Sequence, residues 1–138
     1  MTRSSQADIK DVQQKDLFRS GIFLLLWIVP GVLILFANSA YHAHRLTFTE
    51  TGVIMVISTV VFGSTCFANG RRCGRTHCVI DGILLPLLAV VGLLNLARVT
   101  HITWQLYMNI FWIIIALSFV PECLGVRYLR GAARGARR

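Results

Sequence analysis

Four uninterrupted apolar runs, at residues 21–37, 52–68, 82–97 and 102–120, divide a chain whose charges are confined to the segments between and beyond them. Crossing the hydrocarbon core of a bilayer takes about 20 residues at a rise of about 1.5 Å each, and every run reaches that length with its mildly polar flanks. The pattern predicts four transmembrane helices over about 20–38, 51–68, 80–98 and 102–121. Backbone groups in lipid must be hydrogen-bonded within the chain, and there is little strand-like alternation, so helices are the spanning element. Short connections favour antiparallel neighbours, and small residues such as Gly63-Ser64-Thr65 let helices approach closely. The expected fold is therefore an all-α membrane protein, a four-transmembrane-helix up-down-up-down bundle. Residues 1–19 form an N-terminal arm, 20–124 the membrane domain and 125–138 a basic tail.

Pro30 and Pro86 fall inside the first and third helices, where each removes a backbone hydrogen bond and can kink its helix. The first run could serve as a secretory signal, with Ala37-Asn38-Ser39 as a passable cleavage site. Its apolar stretch exceeds the roughly 7–15 residues of a cleaved signal, so it is read as a retained helix.

Composition removes other classes. Of 138 residues, 55% are hydrophobic and 14% charged, and the four runs leave no room for a separate soluble domain. The net charge of +8 might suggest nucleic acid, but its placement points to lipid instead. Arg3, Lys10, Lys15 and Arg19 precede the first helix; Arg71, Arg72 and Arg75 lie in the middle connection; Arg127, Arg130, Arg134, Arg137 and Arg138 end the chain. With four spans these twelve share one side, against Arg45 and Arg98 on the other. The positive-inside bias then puts both termini and the middle connection in the cytoplasm of an inner-membrane, multi-pass protein, where basic clusters meet anionic lipid. No nucleic-acid partner is expected.

The middle connection carries the chemistry. Cys66, Cys73 and Cys78 fall within thirteen residues, read as a cysteine-rich loop, and His77 adjoins the last. The fourth cysteine, Cys123, belongs to the same side at the end of the last helix, as do Asp81 and Glu122. Soft thiolates select ions such as Hg(II), Cu(I) and Zn, and imidazole can add a ligand. Cys66-x6-Cys73-x4-Cys78 has no C-x-x-C pair and is not a standard zinc pattern. The adjacent arginines favour the thiolate form. The candidate metal ligands are Cys66, Cys73, His77, Cys78 and Cys123; the plainer reading makes Cys66 and Cys123 small buried hydrophobes and the arginines topology signals. Cytosolic thiols stay reduced, which counts against a structural disulfide network. On the opposite side, His42-x-His44 and His101 are a weaker candidate for admitting a cation. Pro121 is expected to end or bend the last helix and turn Glu122 and Cys123 toward the connection.

In size, topology and cytoplasmic cysteine placement, with Cys73 and Cys78 in a connection, the chain loosely resembles the small mercuric-ion transporters of bacterial inner membranes. Those proteins carry a vicinal cysteine pair in the first helix, and this chain has no cysteine there. The resemblance implies transport of a thiophilic ion rather than an enzymatic activity.

The leading expectation is a small membrane protein, not an enzyme, that binds a soft metal ion (Hg, Cu or Zn) at Cys73, His77 and Cys78, relays it through Cys66 and Cys123, and holds no other cofactor. Its partners are the lipid bilayer, the ion and a possible homodimer or larger membrane complex. The alternatives are a non-catalytic accessory subunit of such a complex and a membrane thiol oxidoreductase.

Overall fold

The computed structural model describes residues 21–125, apart from the side chains of Phe23 and Cys73. The N-terminal arm and nearly all of the basic tail lie outside the described residues. Among the described residues four helices follow one another: α1 (Gly21–His42), α2 (Phe48–Cys73), α3 (Thr76–Leu96) and α4 (Trp104–Cys123). Each contains a segment long and apolar enough to cross a membrane, and no strand occurs among the described residues. The chain is a multi-pass membrane protein, all-helical among the described residues.

The helices outrun the apolar stretches because their ends are specified by polar chemistry. At the start of α2, the Thr47 hydroxyl accepts from the Glu50 N–H at 3.3 Å and a Glu50 carboxylate oxygen accepts from the Thr47 N–H at 2.8 Å, a reciprocal capping box. Its far end continues through Arg71 and Arg72 to Cys73 and stops at Gly74, whose left-handed φ of 71° is one that glycine adopts without strain. The segment read as a loop from Cys66 to Cys78 is therefore mostly helix, and only Gly74 and Arg75 separate α2 from α3. The end of an apolar run does not mark the end of a helix here. Arginine is a good helix former, and its long stem can lie along apolar surface, as the Arg71 guanidinium does 5.4 Å from the Phe67 ring centre.

Helix α2 packs most closely on α3. A methyl group added at Gly82 would sit 2.7 Å from Phe67 Cα, and one at Gly63 would sit 2.9 Å from Pro86 Cδ, so only hydrogen fits at these crossings. Helix α1 joins through Trp27, whose ring lies 4.8 Å from that of Phe62, and α4 joins through Phe111, 5.5 Å from Phe62. Fully buried Tyr107 on α4 donates its hydroxyl to Thr59 Oγ1 on α2 at 3.1 Å, and Thr59 donates to the Met55 carbonyl at 2.8 Å. Outward-facing Leu25, Leu87 and Leu117 are each about 60% exposed, a surface that suits hydrocarbon and not water.

Pro121 does not end α4. The helix runs through it to Cys123, with the Gly125 N–H returning to the Glu122 carbonyl. A proline lacks only its own N–H, and a loss in the last turn leaves the helix intact.

Candidate functional site

The C-terminal end of α2, the first turn of α3 and the last turns of α4 meet at one end of the bundle. Three facts of sequence bring them there. Gly74 stops α2 without a loop, Gly82 allows α3 to press on Phe67, and α4 continues past Pro121 to carry Glu122 inward.

At the centre is Cys78, completely buried, with its sulfur 3.2 Å from His77 Nε2. The other ring nitrogen of His77 lies 2.6 Å from Glu122 Oε1. A carboxylate can only accept, so an ionised Glu122 requires an imidazole proton on Nδ1, and in the neutral ring this leaves the Nε2 lone pair facing the Cys78 thiol. The ring is fixed further by stacking on Phe119, 4.5 Å between centroids and 17° from parallel. Glu122 also reaches Arg75, at 3.4 Å. Asn69 donates its side-chain N–H to the Cys78 sulfur at 3.4 Å. Cys66, completely buried one turn before Asn69 on α2, is near enough to Cys78 for the two thiols to influence one another.

Asp81 follows Cys78 by one helical turn and is also fully buried. One of its oxygens accepts from Ser118 Oγ on α4 at 3.0 Å, while Oδ1 has no hydrogen-bond partner among the described residues. A buried carboxylate oxygen without a partner is uncommon enough to ask what would occupy it.

Of the five candidate ligands, Cys66, His77 and Cys78 come together. The Cys73 side chain lies outside the described residues. Cys123 is exposed, and no hydrogen bond joins it to the cluster among the described residues. The described cysteines Cys66, Cys78 and Cys123 are free thiols. Among the described residues, no group of three or more His, Cys, Asp and Glu side chains is arranged to hold a metal ion. Two sulfurs and one imidazole nitrogen can still act as donors, Cys78 and His77 most directly. Tetrahedral zinc with bonds of about 2.3 Å to sulfur and about 2.05 Å to nitrogen would set those two donors about 3.6 Å apart, against the observed 3.2 Å. A shift of a few tenths of an ångström would admit an ion of that size between them.

Glu122 was legible as a nearby carboxylate, but its role as the partner of His77 was not. Phe119 was missed altogether, and Asn69 was not recognised as a partner of Cys78, although a lone asparagine in an apolar helix, one turn from a cysteine, is a usable signal. At the other end of the bundle, His42 contacts Gln105 at 3.1 Å, and His44 occupies a left-handed turn position with φ of 56°. No family model, curated protein or solved structure matches the chain.

Proposed function

We propose that this is an inner-membrane protein, arranged up-down-up-down with both termini in the cytoplasm, that binds a thiophilic metal ion at the cytoplasmic end of its bundle and passes it across or onward. The orientation rests on twelve basic residues against two. The reading of the site rests on one observation: His77 is held by Glu122 through Nδ1 and turns Nε2 toward Cys78, beside a second thiol at Cys66. Histidines that ligate metals commonly donate their other nitrogen to a carboxylate in this way, which fixes the tautomer and strengthens the ligand. Two thiols with one imidazole suit Cu(I) or Hg(II), soft ions that accept few ligands, better than zinc, which takes four. Asp81, with an oxygen to spare, would balance the charge of an arriving cation, and Cys73 and Cys123 would exchange the ion toward the surface. The chain acts here as a carrier and not an enzyme.

The test is titration of purified, reduced protein with Hg(II) or Cu(I) against a competing chelator. Wild type is expected to take up the ion at the buried thiols, and Cys66→Ser/Cys78→Ser to lose that uptake. Equal stoichiometry in both would refute the site.

The proximity of the buried Cys66 and Cys78 thiols at one end of the bundle favours a second reading, a thiol oxidoreductase. The two thiols would form a disulfide by giving two electrons and two protons to a membrane quinone, which leaves as quinol. Reduction of a water-soluble quinone by wild type, with loss of two titratable thiols and none in the double variant, would favour this chemistry over ion transfer.

A further inference from the structure

The end of the bundle away from the thiols holds a cleft of about 390 Å³, walled by the end of α1, the α3–α4 connection and the first turn of α4. Its character is opposite to that of a cation site. Arg98, His42 and His101 line it, and among the described residues no aspartate or glutamate does. Thr103, Trp104 and Gln105 also line it, and these are the N-cap and first residues of a twenty-residue helix, whose N–H groups and dipole favour negative charge. The Thr100 hydroxyl in the wall has no hydrogen-bond partner among the described residues.

The cleft is held in shape before any ligand arrives. Asn95 donates to the Ile102 carbonyl at 3.0 Å and accepts from the Ile102 N–H at 3.1 Å, which pins the connection at both ends. Trp104 Nε1 donates to the Phe48 carbonyl at 2.9 Å, and the guanidinium of Arg98 lies 4.6 Å over the Phe48 ring. Arg98 takes a left-handed φ of 62°, a conformation that costs a non-glycine residue free energy and that glycine would adopt freely. An arginine at such a position, in the seven-residue connection between α3 and α4, places its cation at the cleft.

We propose that this cleft binds an anionic phosphoryl group, with Arg98 as the principal contact and His42, His101 and the start of α4 as supporting donors. Planar guanidinium groups pair with phosphate oxygens through two parallel hydrogen bonds, which an isolated histidine cannot do. The phosphoryl group belongs either to an anionic lipid headgroup, since the cleft opens at the level where a spanning helix leaves the membrane, or to a soluble phosphate compound. This proposal is independent of the reading of the thiol end.

The test uses the full chain in two arms. In nanodiscs of phosphatidylcholine with phosphatidylglycerol, native mass spectrometry counts retained phosphatidylglycerol; in neutral detergent, calorimetry follows binding of inorganic phosphate. Arg98→Gln is expected to weaken the interaction about tenfold, the scale of one lost charge-assisted pair, and Arg45→Gln, outside the cleft wall, less than about twofold. Arg98→Gly separates binding from folding, because glycine relieves the backbone strain and should leave thermal unfolding intact while abolishing the contact. Retention of lipid alone identifies the headgroup as ligand, and binding of phosphate alone identifies a soluble anion. Binding of neither probe by wild type, or Arg98→Gly binding as well as wild type, overturns the proposal.

Discussion

The two ends of the bundle are built on opposite principles. At one, Cys66, His77, Cys78, Asp81 and Glu122 converge from three helices, all buried or nearly so, and the donors are soft or negative. At the other, the polar groups come chiefly from connections and helix starts, lie open to solvent and include Arg98, with no acid in the cleft wall among the described residues. The difference shows how a narrow bundle with few charges concentrates them. Ionisable groups within helices are costly in a bilayer unless they meet one another, whereas groups at helix termini can keep contact with water. The first end is thus suited to holding a cation away from water, the second to meeting an anion at the surface.

The largest effect should come from the sulfur at the centre of the thiol end. Cys78→Ser is expected to weaken Hg(II) or Cu(I) binding by more than about 100-fold, because hydroxyl is a poor ligand for soft ions. Chelator competition measures it, and retained affinity would break the contrast between the ends. Next is Glu122→Gln, which keeps the shape but weakens the hold on His77 Nδ1. Loss of such a carboxylate typically costs about 10-fold to 100-fold in metal affinity. If Glu122→Gln binds as well as wild type while His77→Gln does not, the carboxylate has no part in orienting the ring.

The shared scaffold can be tested without replacing a polar residue of either site. Gly82→Ala puts a methyl 2.7 Å from Phe67 Cα and is expected to destabilise by about 1–3 kcal/mol, read as a lower midpoint of thermal unfolding in detergent. It should also loosen the approach of Cys66 to Cys78. An unchanged midpoint would mean that α2 and α3 do not meet this closely. Smaller still, Thr47→Ala removes the capping side chain at the start of α2 and should cost about 1 kcal/mol, with metal binding at the far end unchanged. Cys123→Ser, away from the buried cluster, should alter ion affinity by less than about twofold; a larger loss would draw that exposed thiol into the site.

The number of helices and their apolar character were legible because a spanning helix needs an unbroken run of residues that lipid accepts. Their ends were not, because capping by Thr47 and Glu50 and the stop at Gly74 depend on single polar residues and one backbone angle. The grouping of cysteines on one side followed from counting spans, whereas the nearness of Cys66, His77 and Cys78 follows from the short connection between α2 and α3. The pairing of His77 with Glu122 spans 45 residues of sequence and depends on the rotation of α4, which apolar periodicity leaves free when most of a helix faces lipid. For the same reason, adjacent Glu122 and Cys123 could not be told apart by sequence, yet one turns to His77 and the other is exposed.

The central claim is that the paired thiols are ligands and not merely neighbours in a core. X-ray absorption at the mercury edge of Hg(II)-loaded protein tests it most directly, because it counts sulfur neighbours around the ion. The account predicts sulfur ligation in wild type, with one sulfur fewer in each of Cys66→Ser and Cys78→Ser. A sulfur shell unchanged by both substitutions would contradict it.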